Sequence, residues 1–202
     1  MDDAVANAVS SGVTVVVAAG SNNANASGFT PANAPDAITV SALADFDGEE
    51  GGLLAVPTFR SDQDDTLADF SNWGAVDIAA PGTCILSTDP IEQDEYATIS
   101  GTSMASPHVA GAAALLTSNG AAPLAIRDTL LTIGNFNWTD DSGDSVQEPL
   151  LDISGAEFIP NFEIVGDGNN SAPTASVSYS CTDLSCSFTG SGTDNGTIVS
   201  YT

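Results

Sequence analysis

Ser100 to Gly111 reads SGTSMASPHVAG. Ser103 stands in a tight small-residue turn that runs straight into an apolar helix, the setting in which a hydrolase exposes a nucleophilic hydroxyl. A serine hydroxyl is a poor nucleophile until a base takes its proton, and the sequence holds a single histidine, His108. Five positions along a helix turn a side chain by roughly 500°, leaving His108 about 140° around from Ser103. His108 is therefore not expected to be the base. The helix contributes directly, because its first N–H groups lack partners and its N-terminus carries partial positive charge. The Ser103 N–H is the expected donor to a developing oxyanion.

The elements that hold this serine are legible as hydrophobic periodicity. Ala4, Val5, Ala8 and Val9 form one face of a short first helix that Gly12 ends. Val13 to Ala19 is a continuous small and β-branched run, as expected of a strand buried on both faces of a parallel sheet. The stretches DAITVSAL and VDIAAPG read as two more such strands, and CILST as a short fourth element. Alanine and leucine after Ser103 predict a helix ending at Asn119-Gly120, and PLAIRDTLLTIG predicts another. Pro107 is expected to be tolerated because early helical N–H groups are unpaired anyway. This order of elements predicts an open α/β sheet with its site at the carboxyl ends of strands. Residues 45–69 are expected to form an acidic loop.

Charge narrows the partners. Acidic residues number 27 against two basic ones, Arg60 and Arg127, for a formal net charge of −25. A field of that sign repels nucleic acid and anionic membrane surfaces, and no stretch of 18 apolar residues offers a membrane span. The start lacks the basic end and apolar run of a signal peptide. Of three cysteines, Cys181 and Cys186 lie close together, which fits a hairpin-clamping disulfide in an oxidising compartment or two reduced structural thiols. Cys84 stands alone. The Gly- and Asn-rich VGDGNNSAP is a flexible linker, and TASVSYSCTDLSCSFTG alternates at period two, as β structure does.

GTSMASPHVAG closely resembles the nucleophile motif of subtilisin-like serine proteases. The segment VTVVVAAGSNNANASGFTPANAPDAITVSAL is similar to the oxyanion-loop region of the proteinase K and subtilisin group, and FSNWGAVDIAAPGTCILST to the strand and loop before the nucleophile. The resemblance covers about residues 1–155 and implies the C-terminal half of a catalytic domain with a three-layer α/β fold and a mostly parallel sheet. It also implies that Ser103 cleaves peptide bonds through an acyl-enzyme, in protein or peptide substrates. In that family the triad aspartate and histidine precede the serine. No histidine precedes position 108 here, and no aspartate before Ser103 stands in the family's D-[ST]-G motif. The chain alone is therefore expected to be inactive, its base lying on a part of the protein outside this sequence. The other reading is a non-catalytic binding or scaffold protein that keeps the fold.

The resemblance carries further residues with it. The family places an asparagine, the second oxyanion donor, directly after Ala18-Ala19-Gly20, where this chain has Ser21. Ser21 would donate through a water, or the loop would slip to bring Asn22 in; otherwise oxyanion binding is impaired. Ala18, Ala19 and Gly20 match the wall of the specificity pocket, though small residues there equally suit packing of a strand against a helix. Pro35, Ala37 and Asp77 match a calcium site of the group, two carbonyls and one carboxylate. DFDG, with Asp45 and Asp47, is similar to the opening of an EF-hand loop but lacks its bidentate glutamate, which favours a solvated loop. Residues 172–202 resemble the first strands of a polycystic kidney disease (PKD) domain, a β-sandwich. The expected organisation is a peptidase part over 1–158, a linker over 159–172 and the start of a PKD-like module over 173–202. The whole protein is expected to be secreted and monomeric.

Overall fold

The computed structural model describes residues 1–49, 51–52, 60–93 and 95–154, and the backbone of 174–182 and 185–193. The chain divides into two units, residues 1–159 and 160–202.

The first unit is α/β. Helix α1 (Asp2–Ser10) leads into strand β1 (Val16–Ala18), shorter than the run from Val13 suggests because Val13 is exposed and unpaired with the sheet. Strand β2 (Ile38–Ala44) is the central strand, buried along its whole length. It pairs in parallel with β1, Val16 opposite Ile38, and with β4 (Ile78–Pro81), Val40 opposite Ile78. The acidic loop contributes a two-residue strand that periodicity does not reveal. This is β3 (Thr66–Leu67), antiparallel to the end of β2 on the edge that β1 also uses. Strands β5 (Ile85–Thr88) and β6 (Tyr96–Ile99) form a separate antiparallel hairpin leading to the serine.

Alternation along β1 and β2 sorts side chains into layers. Val16, Ile38, Val40 and Ala42 meet helix α2 (Thr102–Ser118) through Ala105, Val109, Ala112 and Ala113. Helix α3 (Pro123–Ile133) seals that layer with Ile126 and Leu130. On the opposite face Val17 packs with Val5 of α1, Ala34 and Ala37. Leu43, Leu67, Ala79, Trp138 and Leu150 form a further cluster. The sheet thus lies between helical layers, as the resemblance implied. Pro107 departs from expectation: it is the sixth residue of α2, where an N–H would have bonded the Ser103 carbonyl. The helix nevertheless runs on to Ser118.

Both arginines are engaged in ion pairs. Arg60 bonds Asp62 at 2.6 Å and also Asp69, with its guanidinium 4.8 Å from the Phe70 ring centre, and Arg127 bonds Asp77. No helix among the described residues is long and apolar enough by itself to cross a membrane.

The second unit is described by one antiparallel hairpin, β7 (Thr174–Thr182) and β8 (Ser185–Thr193), with Cys181 directly opposite Cys186. The expected linker over 159–172 lies outside the described residues.

Candidate active site

The carboxyl end of β1 and the amino end of α2 converge, as open α/β sheets require of a site. Ser103 is the second residue of α2 and is exposed. Its hydroxyl makes no hydrogen bond to a described residue, and its N–H has no acceptor there either. His108 turns back along the helix, its Nδ1 2.8 Å from the Met104 carbonyl, which that nitrogen's N–H is placed to donate to. It is not bonded to Ser103, so among the described residues no base serves the serine. A cleft of about 350 Å³ opens beside Ser103, lined also by Met104, Ile85 and Leu86.

Ser21 lies against the same helix end. Gly101, at the helix N-cap, has no side chain to cap with, and the cap comes from 81 residues away: Thr102 N donates to Ser21 Oγ at 3.2 Å. Ser21 Oγ also lies 3.2 Å from Thr102 Oγ1, which accepts a bond from Gly20 N at 3.1 Å. The backbone N–H of the next residue, Asn22, is held by Asn72.

Asn72 is a residue that the sequence did not single out. It is completely buried, and its Oδ1 accepts from the N–H groups of Asn22 and Ala24 at 3.0 and 3.1 Å while its Nδ2 donates to the Ala19 carbonyl at 2.8 Å. One amide thereby fixes the loop that presents Ser21. Gly20 is required beneath it, at φ +104°, since a Cβ there would stand 2.4 Å from Asn72 Nδ2. The stretch FSNWG contains the only sequence signal, a polar residue inside an apolar context, and nothing in it says which loop the amide would clamp.

The expected pocket wall is only partly placed to meet a ligand. Ala18 and Gly20 are half-buried, but Ala19 is fully buried with its methyl packed among Ala26 and Ala32, so that side chain belongs to the core.

The expected calcium ligands come together, but around a guanidinium. Arg127 donates to the Pro35 carbonyl at 2.9 Å and to one Asp77 oxygen, while the other Asp77 oxygen accepts from Thr39 N at 2.8 Å. Ala37 is buried nearby in the α1 cluster. With two of the three donor groups already facing an internal cation, the arrangement does not fit a calcium ion. In the DFDG loop Asp45 and Asp47 accept backbone N–H groups of their own turn. Asp45 lies close to Asp64 and Asp65, whose side chains also accept backbone N–H groups, from Phe46 and from Gly51 and Gly52.

Glu148 is a buried carboxyl elsewhere in this unit, 6% exposed and bonded to Ser41 Oγ. Burial holds its pKa above the usual carboxylate range, against the opposing effect of the Ser41 bond.

Residues 1–147 match the subtilase family of peptidases. Subtilisin-like protease 2 of Pseudogymnoascus destructans is 43% identical over 159 residues, which cover 77% of this chain and 35% of that protein. A cuticle-degrading serine protease of Arthrobotrys oligospora is 43% identical over 132 residues, covering 63% of this chain and 27% of its own length. Among solved structures, a cold-adapted subtilisin-like serine proteinase superposes with a TM-score of 0.59 at 37% identity, covering 74% of this chain and 48% of that one. The chain spans about a third of the first of these relatives and about half of the solved structure.

Proposed function

The chain belongs to the subtilase family, and on that premise we propose that it is the serine-bearing part of a secreted serine endopeptidase with Ser103 as nucleophile. The observation that carries this is an exposed serine at the start of α2 whose own N–H is free, with a second hydroxyl held beside it by Thr102. Ser103 Oγ attacks the scissile carbonyl as the base takes its proton, the peptide C–N bond breaks with that proton passing to the leaving amine, and water hydrolyses the resulting acyl-enzyme. The Ser103 N–H, aligned with the helix dipole, binds the oxygen that becomes negative. The base is a histidine oriented by an aspartate, both supplied by protein outside this sequence. Ala18 and Gly20 border the substrate, and residues 173–202 begin a PKD-like module, in keeping with the β7–β8 hairpin. Calcium has no part in this proposal, because Arg127 meets its expected ligands.

The test is a peptide-anilide assay of three proteins: the chain alone, the chain joined to a subtilase amino-terminal half carrying aspartate and histidine, and that completed enzyme with Ser103→Ala. Hydrolysis is expected only from the second. Hydrolysis by the chain alone that Ser103→Ala abolishes would reveal a base within it, and no Ser103-dependent hydrolysis from any of them would favour a non-catalytic scaffold.

A further inference from the structure

We propose that Asn25 is the acceptor of an N-linked glycan, presented by the loop that follows β1; this rests on the protein being secreted. The sequence holds four Asn-x-Ser/Thr triplets with a middle residue other than proline, at Asn25, Asn137, Asn169 and Asn195. The last two lie outside the described residues. The co-reactant is an oligosaccharide linked to a lipid phosphate or pyrophosphate. In the transfer Nδ2 attacks the anomeric carbon of the first sugar and loses one proton to a base of the transferase. The sugar C–O bond breaks with its electron pair passing to the leaving phosphate. An acceptor therefore needs an exposed carboxamide with an uncommitted Nδ2, and a hydroxyl two residues on.

The loop supplies each of these. Asn25 and Ser27 are both exposed. Asn25 Oδ1 accepts from Ser27 N at 2.9 Å, a local turn that caps the short 3₁₀ helix Ala26–Gly28. The amide oxygen is thus occupied within the triplet, and a bond at that oxygen makes the amide N–H more acidic. Nδ2 makes no hydrogen bond to a described residue. Its neighbour is Gly74, where a Cβ would stand 2.6 Å from Nδ2, so glycine there leaves the nitrogen uncrowded. Asn137 offers the same motif in a tighter setting. Trp138 is 6% exposed with its indole Nε1 bonded to the Glu148 carbonyl, and the Thr139 backbone is bonded to Asp65 and Leu67. Freeing that triplet exposes an indole. The Asn25 triplet buries only the Ala26 methyl, with one Ala26 N–H bond to the Trp73 carbonyl.

The experiment is peptide mass spectrometry of the full chain directed through a eukaryotic secretory pathway, before and after enzymatic release of N-glycans. Asn25→Gln, Ser27→Ala and Ser27→Thr are treated alike. Release turns a glycosylated asparagine into aspartate, and the Asn25 peptide is expected to carry that mark in the parent and in Ser27→Thr. Asn25→Gln and Ser27→Ala should both lose the glycan. Ser27→Ala keeps the asparagine, so its result separates glycosylation from spontaneous deamidation. Both positions are exposed, so these substitutions leave the core untouched. An unmodified Asn25 in the secreted parent overturns the proposal, as does a glycan on Asn137 with none on Asn25. A glycan on Asn25 of the directed chain, with the natural protein kept unmodified inside its cells, supports the acceptor and overturns the secretory reading.

Discussion

Ser103 keeps its side chain in solvent, so its replacement tests chemistry without touching the core. In the completed enzyme Ser103→Ala should cost about 10⁶ in kcat, the order a lost triad nucleophile costs, with an unchanged melting temperature. His108→Gln should cost far less, since the ring is tied to Met104 and not to the serine; a loss comparable to that of Ser103→Ala would reinstate His108 as the base. Ser21→Asn should raise kcat about tenfold with little change in KM, because the longer amide acts on the transition state. Glu148 gives a pH signature. Its folded pKa is raised by burial, so its contribution to stability is fully present below the unfolded value and is lost as pH rises through the folded one. Chemical denaturation should show Glu148→Gln more stable than the parent at neutral pH and no more stable at pH 3; a parent that Glu148→Gln weakens at pH 7 would contradict this. The candidate nucleophile is legible in the sequence because its motif is local. Asn72 and Thr102 were not, because their partners lie about 50 and 80 residues away.

Among the elements, α3 is tied by Arg127 to the Pro35 carbonyl in the loop before β2 and to Asp77. EGTA should leave the melting temperature of the completed enzyme unchanged, and Arg127→Ala should lower stability by about 1 kcal/mol, the pair being partly exposed. A calcium-dependent melt that Asp77→Asn abolishes would show that the ion displaces the guanidinium. In the second unit, residues directly across an antiparallel ladder have Cα atoms about 4.5–5.5 Å apart, within reach of a disulfide. Thiol titration of denatured protein from an oxidising compartment should therefore find one reactive cysteine, Cys84; three would remove the Cys181–Cys186 bridge. Element types along the first unit follow from periodicity, whereas β3, β6 and the true start of β1 do not. Thr66–Leu67 is too short to show a period, and Val13 continues an apolar run without joining the sheet.

For the whole molecule, charge and uncovered surface set the behaviour. The net charge of −25 already counts both arginines, each of which is ion-paired, so acidic groups dominate the surface field. Self-repulsion opposes compaction and salt screens it, so the denaturation midpoint should rise between 0.05 and about 1 M NaCl. A midpoint that falls with salt would mean that the ion pairs outweigh the repulsion. Pro107, Ala110, Gly111 and Ala114 leave a small-residue stripe of α2 exposed, next to an open groove of about 520 Å³ that reaches β1.

By itself the sequence determined the class of fold, the candidate nucleophile and the poor placement of its only histidine, since these depend on residue type, local spacing and composition. Tertiary structure decided what distant residues do to one another. It capped α2 with Ser21, locked the loop with Asn72, and set a guanidinium against two of the residues expected to hold calcium. Each of these turns on which polar groups lose water together. Burial and hydrogen-bond partnership are properties of the packed chain, and no segment carries them alone.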